Sequence, residues 1–264
     1  MEVSLPHVAP GDRLSVSAST YVAWKQCPDR ASARLRGEFG PETLPAFLGS
    51  LAHRIFNRHL TTGPVPAELF ETACKEEIGA WLNPQMTGLG LKPSTLAPVI
   101  EEARRLYERF AKLSTDGLEA SEKKLLHKGE DDLELHGRVD AVFRGDAGGH
   151  RLVDWKTGEL GASEDQLMFY ALLWALEKGE PPVLVEAVSV KTGERRGATP
   201  TAADLQRVAD DVGRLANEVR SARAGGDGLG TRAGPWCRHC PILGDCPEGE
   251  AAEALLSLGW RGLG

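Results

Sequence analysis

The feature that most constrains the fold is a pair of apolar, β-branched segments separated by a short glycine-rich stretch. The first segment, 137–143, reads Gly-Arg-Val-Asp-Ala-Val-Phe, and the second, 152–158, reads Leu-Val-Asp-Trp-Lys-Thr-Gly. The residues between them, Gly145-Asp146-Ala147-Gly148-Gly149, have the composition of a turn. The two segments are therefore predicted to pair as a β-hairpin.

Three charged residues of this hairpin are predicted to share one patch. Asp154 and Lys156 point the same way, because side chains alternate between the two faces of a strand. Asp140 joins them if Val139 and Ala141 pack together on the opposite face. An Asp and a Lys two residues apart are most often a solvated ion pair. Two carboxylates and an ammonium together can instead hold a divalent cation and steady a reacting anion.

Length and composition indicate a single globular domain. The chain has 264 residues, 41% of them hydrophobic and 26% charged, which is near the upper limit for one core. We therefore predict one domain, 1–264, with a helical insertion. No apolar run approaches membrane-spanning length and no secretory signal is recognised at 1–14, so a cytoplasmic protein is expected.

A net charge of −7 argues against a protein coated in positive charge for nucleic acid. A local basic groove remains compatible with that value. Seven arginines are candidates for phosphate contacts, although arginines on helices commonly form solvated faces. They are Arg34, Arg36, Arg54, Arg58, Arg104, Arg105 and Arg109.

The pattern along the chain predicts a mixed α/β sheet covered by helices. A first helix opens at 14–19, with Ser17 or Ser19 as its cap, and ends near Cys27-Pro28. A helical insertion covers 64–113, with a loop from Pro84 to Pro93. The other predicted helices are 45–60, 163–176 and 201–220, and the predicted strands are 118–126, 133–143, 151–156 and 183–190.

Cysteine usage indicates a metal centre rather than disulfides. Cys237, Cys240 and Cys246 lie within ten positions, after a glycine-rich linker at 225–230, and Cys27 is the obvious fourth ligand. Zinc takes four thiolates, usually as two close pairs, whereas a [4Fe–4S] cluster accepts uneven spacing. One distant and three close ligands favour iron–sulfur, with zinc as the alternative. Cys74 is predicted to be a small buried side chain.

Such a cluster, formed by 231–250 together with Cys27, would tie the first helix to the C-terminal region. It would close a very long loop, where a cross-link restricts the unfolded chain most. The predicted role is therefore structural rather than redox. His239 could replace one thiolate, although an exposed loop histidine is the simpler interpretation.

These pieces together resemble the RecB-type nucleases of the PD-(D/E)xK superfamily. The resemblance is strongest to members with an iron–sulfur staple: CRISPR adaptation nucleases, the AddB nuclease domain and stand-alone RecB-like exonucleases. It rests on the joint order of several short motifs. They are Ser17-Ala18-Ser19 through Cys27-Pro28, Gly49-Ser-Leu-Ala-His53, Gly137-Arg-Val-Asp140, Asp154-Trp-Lys156-Thr-Gly158, Gln166-Leu-Met-Phe-Tyr170 and the three C-terminal cysteines. A restriction-endonuclease-like sheet is the fold implied.

The resemblance also implies residue roles. His53, Asp140 and Asp154, with the backbone carbonyl of Trp155, would bind the metal, and Lys156 would be the catalytic lysine. Gln166 and Tyr170 would lie beside the metal and the DNA strand, where Tyr170, Trp155 and nearby arginines could stack on or clasp it. Glu122, on the preceding strand, is a further acidic candidate.

The implied function is a DNA nuclease using Mn²⁺ or Mg²⁺, with manganese favoured by a histidine ligand. It would act on single strands or duplex ends, as an exonuclease in repair or recombination or as a CRISPR adaptation nuclease. A helicase or a CRISPR integrase would be its partner. The alternative is a non-cleaving subunit with the nuclease fold, which binds DNA or acts as a scaffold in a helicase or integrase complex.

Overall fold

The computed structural model describes residues 3–145, 148–226 and 228–261. Asp146 and Ala147 of the predicted hairpin turn, and Asp227 of the predicted linker, lie outside these residues. The strands are β1 (Leu14–Ser17), β2 (Leu118–Lys128), β3 (Leu133–Arg144), β4 (His150–Lys156), β5 (Leu184–Ser189) and β6 (Arg195–Ala198).

Helices precede, interrupt and follow the strands. They are α1 (Ala18–Gln26), α2 (Pro28–Leu35), α3 (Leu44–Thr62), α4 (Phe70–Glu77), α5 (Asn83–Gly88), α6 (Ala97–Phe110), α7 (Glu164–Lys178), α8 (Ala202–Gly225) and α9 (Pro247–Arg261). A π-helical turn, Ile78–Leu82, joins α4 to α5. No helix in these described ranges is both long and apolar enough to span a membrane.

The six strands form one sheet with both parallel and antiparallel pairs, which confirms the predicted mixed sheet. Its order is β1-β3-β4-β5-β6, with β2 paired to the other edge of β3. The strand β3 is shared along its length: residues 141–144 pair antiparallel with β4, and residues 133–136 pair parallel with β1. Between these pairings, within the described chain, residues 137–140 have no strand partner on that edge. The sheet therefore forks where β3 and β4 separate.

Two hydrophobic cores lie on opposite faces of the sheet. One contains the inner faces of α1, α7 and α8. The other contains α3 and the helices of the insertion, with Phe47, Phe56 and Phe110 fully buried. The face of α3 that buries Phe47, Leu51 and Ile55 has the spacing of an amphipathic helix, and α3 covers the helix predicted at 45–60. The fork lies between the two helical layers, so it receives side chains from both.

The structure differs from the predicted elements at several places. The helices α2 and α9 were not predicted, and three further differences concern the sheet and the insertion. Residues 14–17 form β1 rather than the start of a helix, because Leu14 and Val16 are buried against β3 while Ser17 caps α1. The strand β6 was not predicted, since Arg-Arg-Gly-Ala has no alternating apolar residues and is held by pairing to β5. The helix α5 replaces part of the predicted loop, because Pro84 lies in its first turn, where proline is tolerated.

Candidate active site

An open cleft of about 850 Å³ occupies the fork of the sheet. The start of α1, α3 and α7 surround it, with β3 and β4 as its floor. The peptide N–H of Trp155 crosses the fork and donates a hydrogen bond to Asp140 Oδ2 at 2.7 Å. The two strands of the predicted hairpin are therefore held together at this end by a carboxylate rather than by a backbone ladder.

The sheet is irregular where the two acidic residues of β2 and β3 face each other. Glu122 has a φ of 52°, a left-handed conformation that non-glycine residues rarely adopt. Its neighbours Ser121 and Lys123 pair with Ala141 and Val139, so Glu122 lies opposite Asp140. Val139 belongs to the α7 core and Ala141 to the α3 core.

The prediction that Val139 and Ala141 share a face is therefore wrong, since the alternation of β3 changes at Asp140. Irregularities of this kind re-aim side chains beside active sites. Glu122 was named from the sequence only as a further acidic candidate. Strand periodicity cannot predict which face its side chain occupies, because a left-handed residue breaks the alternation.

His53, Glu122 and Asp140 form a compact donor group. Each contributes one ligand atom, and these atoms lie within 4.8 Å of one another. His53 Nδ1 is 3.4 Å from Asp140 Oδ1. Metal–ligand bonds of about 2.0–2.3 Å allow ligand atoms to be about 4 Å apart, so this donor set fits a divalent ion.

A glycine allows α3 to bring His53 to the fork. A Cβ atom at Gly49 would lie 3.3 Å from Thr157 Oγ1, a tight contact with the turn after β4. Gly49 and His53 are four residues apart and lie on the same side of α3. The absence of a side chain at residue 49 therefore lets the helix lie close to the end of β4 without displacing Thr157.

Asp154 and Lys156 form a second group with residues of α7. Lys156 Nζ lies 2.7 Å from Asp154 Oδ2, an ion pair without hydrogen-bond alignment, and donates to Gln166 Oε1 at 2.8 Å. Gln166 Nε2 donates to Asp154 Oδ1 at 3.1 Å and contacts Tyr170 Oη at 3.0 Å. Asp154 is not part of the 4.8 Å donor group, so the structure divides the predicted metal ligands between two adjoining clusters.

The electrostatics of the two clusters are coupled. Burial, and then the negative charge of Asp140, raises the pKa of Asp154 to about 6, against the opposing effect of Lys156. Burial would lower the pKa of His53, but attraction to Asp140, the hydrogen bond between them and the charges of Asp154 and Glu122 raise it. Burial also raises the pKa of Glu122, although Arg138 Nε lies 2.7 Å from its carboxylate. Such crowding of acids is typical of a site that takes a cation.

The side chain of Trp155 does not face the cleft. It is buried in the α3 core with its ring centroid 5.3 Å from that of Phe110. The prediction that Trp155 stacks on a DNA strand is therefore wrong, because residue 155 alternates to the face opposite Asp154 and Lys156. The side chain of Tyr170 is also buried, so little of its ring is exposed for stacking on a DNA strand. The carbonyl of Trp155 as a metal ligand stays a prediction.

Gly137 belongs to one of the sequence motifs, and only the structure shows why this position is a glycine. A Cβ atom there would lie 2.9 Å from Tyr170 Cε1 and 3.0 Å from Leu173 Cδ1. Tyr170 can therefore lie against β3 only because residue 137 is a glycine.

The four predicted cluster ligands line one small cavity: Cys27, Cys237, Cys240 and Cys246. Three of their sulfur atoms accept backbone N–H groups, from Arg232 at 3.4 Å, Gly234 at 3.4 Å and Gly249 at 3.3 Å. Among the described residues, no three of these sulfurs lie within 4.8 Å of one another.

The remaining cysteine and the loop histidine lie apart from this cavity. Cys74 is buried in α4, and burial raises the pKa of its thiol to about 12. His239 is exposed.

Comparison with known proteins gives one informative match. A comparison with curated proteins found no match. A solved structure named SSO0001 aligns over 90% of this chain and 88% of its own at 14% identity, with a TM-score of 0.41. The model of the PD-(D/E)XK nuclease superfamily matches residues 15–247. That range spans β1 to the first residue of α9 and contains both clusters of the cleft. The chain belongs to the PD-(D/E)XK nuclease superfamily.

Proposed function

We propose that this protein is a metal-dependent DNA nuclease of the RecB type, acting on single strands or duplex ends. The observation that carries the proposal is the meeting of two clusters in one cleft. His53, Glu122 and Asp140 offer three ligand atoms within 4.8 Å of one another, and the Asp154–Lys156 pair lies beside them. The match to the PD-(D/E)XK nuclease superfamily supports this chemistry for the cleft.

The metal ligands are proposed to be His53, Asp140 and Asp154, with Glu122 as an additional ligand and the Trp155 carbonyl completing the set. A bound Mn²⁺ or Mg²⁺ would lower the pKa of a water and polarise the scissile phosphate. An imidazole nitrogen among carboxylate oxygens favours manganese. The hydrogen bond from Trp155 N–H to Asp140 Oδ2 fixes the carboxylate plane, which is the role of an outer hydrogen bond at a metal site.

Lys156 is proposed as the catalytic cation. Its ammonium is held between Asp154 and Gln166, at the edge of the cleft. From there it can stabilise negative charge that develops on the phosphate or orient the attacking water. Gln166 donates to Asp154 and accepts from Lys156, so it sets the orientation of both; Tyr170 in turn contacts Gln166. We propose Gln166 and Tyr170 as residues that position this pair and lie near the DNA strand.

We further propose that Cys27, Cys237, Cys240 and Cys246 hold a [4Fe–4S] cluster with a structural role. No three of these described sulfurs lie within 4.8 Å of one another, whereas Zn–S bonds of about 2.3 Å would bring all four thiolates to about 4 Å from one another. Backbone N–H donors to three sulfurs are typical of cluster ligands. Protein purified without oxygen should be brown and contain iron and sulfide. A colourless protein with stoichiometric zinc would contradict the cluster.

The nuclease proposal is tested with purified protein, Mn²⁺ and end-labelled single-stranded DNA. The wild type is expected to release labelled products, whereas Asp140→Asn, Asp154→Ala and Lys156→Ala should lose at least about two orders of magnitude in rate. A circular single strand resistant to the enzyme would indicate an exonuclease. Wild-type protein that cuts no better than these three variants would overturn the proposal.

The alternative is a non-cleaving DNA-binding or scaffolding subunit. One observation favours it: Asp154 is engaged by Lys156 and Gln166 rather than grouped with the other acids. DNA binding without cleavage, and without dependence on metal, would support this alternative. Genomic neighbours that encode a CRISPR integrase or a helicase would distinguish a role in CRISPR adaptation from one in repair.

A further inference from the structure

A groove leads away from the cleft across α3 and the helical insertion. The cleft shares His53, Arg138 and Thr157 with a recess of about 530 Å³. That recess shares Ala46 and Gln85 with a third, of about 370 Å³. The two outer recesses, called here the outer groove, therefore extend the cleft from the fork of the sheet toward the segment that follows α2.

Each half of the outer groove carries an exposed aromatic ring beside an arginine. Trp81 is 61% exposed, and the Arg54 guanidinium lies 4.6 Å from its ring centroid. Phe39 is 68% exposed, with Arg34 at 5.6 Å. An exposed ring next to a cation provides a stacking surface and a positive charge at the same point. This pairing is what single-stranded nucleic acid requires of a binding groove.

The backbone turns Trp81 outward. It lies in the π-helical turn Ile78–Leu82, and both Ile78 and Leu82 are buried in the α3 core. Turns of this kind add a residue to a helix and are frequent at functional sites. The large apolar side chain at 81 is thus placed on the solvent side of an otherwise buried segment.

The outer groove contains basic side chains that suit a polyanion, beside two acidic ones, Glu42 and Glu122. Of the seven candidate arginines, Arg36, Arg58, Arg104 and Arg105 form ion pairs, and Arg109 donates to the Lys191 carbonyl. Within the described residues, no carboxylate lies within ion-pair distance of Arg34 or Arg54. Two guanidinium groups therefore remain available for phosphates in a protein whose net charge is −7.

From these observations we propose that the outer groove binds an unpaired nucleic-acid strand leading to the active site. Trp81 and Phe39 stack on bases, while Arg54 and Arg34 contact phosphates. The proposal rests on the proposed nuclease function and deepens it, because it assigns the enzyme a single strand several nucleotides long as substrate. Paired bases have their faces covered by neighbouring base pairs, so duplex DNA cannot use the same rings.

Binding is tested in EDTA, where no cleavage occurs, by the fluorescence anisotropy of labelled oligothymidylate. Trp81→Ala should raise Kd about tenfold, the effect of losing one stacked base, and Trp81→Phe should retain most of the affinity. Leu69→Ala is the matched control, since Leu69 is exposed on the same insertion but does not line the groove. Equal affinities of Trp81→Ala and Leu69→Ala for the oligonucleotide would overturn the proposal. So would a loss of affinity of Trp81→Ala for duplex DNA as large as its loss for the single strand.

Cleavage separates this proposal from the nuclease function. For Trp81→Ala with Mn²⁺ and single-stranded DNA, KM should rise about tenfold while kcat stays at the wild-type value, because Trp81 is not among the residues proposed to hold the metal or to act on the scissile phosphate. A KM equal to that of the wild type would overturn the groove while the nuclease function stands. An inactive wild type would overturn the nuclease function, and the anisotropy experiment would still decide whether the groove binds a single strand.

Discussion

At the scale of single residues, the cleft depends on one position where a methyl group does not fit. Gly137→Ala places a Cβ atom 2.9 Å from Tyr170 Cε1, so the ring and its hydrogen bond to Gln166 must shift. We expect a loss of about 1–3 kcal/mol in the free energy of unfolding, together with reduced cleavage. Urea denaturation measures the first and a nuclease assay the second.

Gly161→Ala is the control for this substitution. A Cβ atom at residue 161 meets no atom within 4 Å, so unfolding and cleavage should stay close to those of the wild type. Equal behaviour of the two variants would show that Tyr170 does not need the space at 137.

Asp154 predicts a pH dependence of stability in the metal-free protein. Its pKa is about 6 in the folded state, against 3.8 for the ordinary group. The folded state binds this proton more tightly, so the contribution of Asp154 to stability rises as pH falls from above 6 to below 3.8. Asp154→Asn should therefore raise Tm in EDTA at pH 8, and the gain should disappear near pH 4. Thermal unfolding across this range measures it.

Asp204 is the control of opposite sign. Hydrogen bonds from Thr201 at the start of α8 lower the pKa of its carboxyl group. The charge therefore stabilises the fold above the ordinary pKa, and that stabilisation is lost as pH falls through the lowered value. Asp204→Asn should reduce Tm at pH 8. A Tm increase for both variants would contradict this assignment of the two charges.

At the scale of elements, α1 is attached to α8 through one buried carboxylate. Asp211 Oδ2 accepts from Tyr21 Oη at 3.0 Å and from Lys25 Nζ at 2.8 Å, and Arg214 is a further partner. Tyr21→Phe removes one donor among several, and should cost about 1 kcal/mol. Asp211→Ala leaves Tyr21 and Lys25 without their acceptor, and should cost about 3 kcal/mol or more.

Urea denaturation of both variants checks this order. The ratio of the two losses is informative, because the tyrosine contributes only a hydroxyl while the aspartate connects three donors. A larger loss for Tyr21→Phe than for Asp211→Ala would contradict the carboxylate as the shared acceptor, because phenylalanine keeps the ring and its packing against Phe169, 5.3 Å away between ring centroids.

At the scale of the whole molecule, the cysteine cavity joins segments from the two ends of the chain. A cluster there would tie the loop between α1 and α2 to the C-terminal helices, and closing so long a loop restricts the unfolded chain strongly. Cys27→Ser should therefore lose its iron. Its free energy of unfolding should fall by about 2 kcal/mol or more, and its Tm by several degrees. Iron analysis and thermal unfolding under nitrogen measure the effect.

Cys74→Ala provides the matched control, since Cys74 is buried in α4 and does not line that cavity. It should keep its iron while losing some packing energy. Iron content unchanged in Cys27→Ser would contradict the assignment of Cys27 as a ligand.

The residues of the cleft and most of the helices and strands could be predicted from the sequence. His53, Asp140, Asp154, Lys156, Gln166 and Tyr170 lie in the short motifs on which the resemblance to RecB-type nucleases rests. The strands β3 and β4 and the helices α3 and α7 have strong local periodicity, which depends only on neighbouring residues. The mixed sheet follows from the order of these elements.

The arrangement of the site was decided by tertiary structure. The fork exists because β3 pairs with β4 at one end and with β1, more than a hundred residues earlier, at the other. The left-handed Glu122 changes the alternation at Asp140, and α3 brings His53 from the opposite helical layer. Local periodicity describes a regular strand only, and a contact between distant segments leaves no trace in it. The acids of the cleft could therefore be identified from the sequence, whereas their division into two clusters results from the pairing of distant strands.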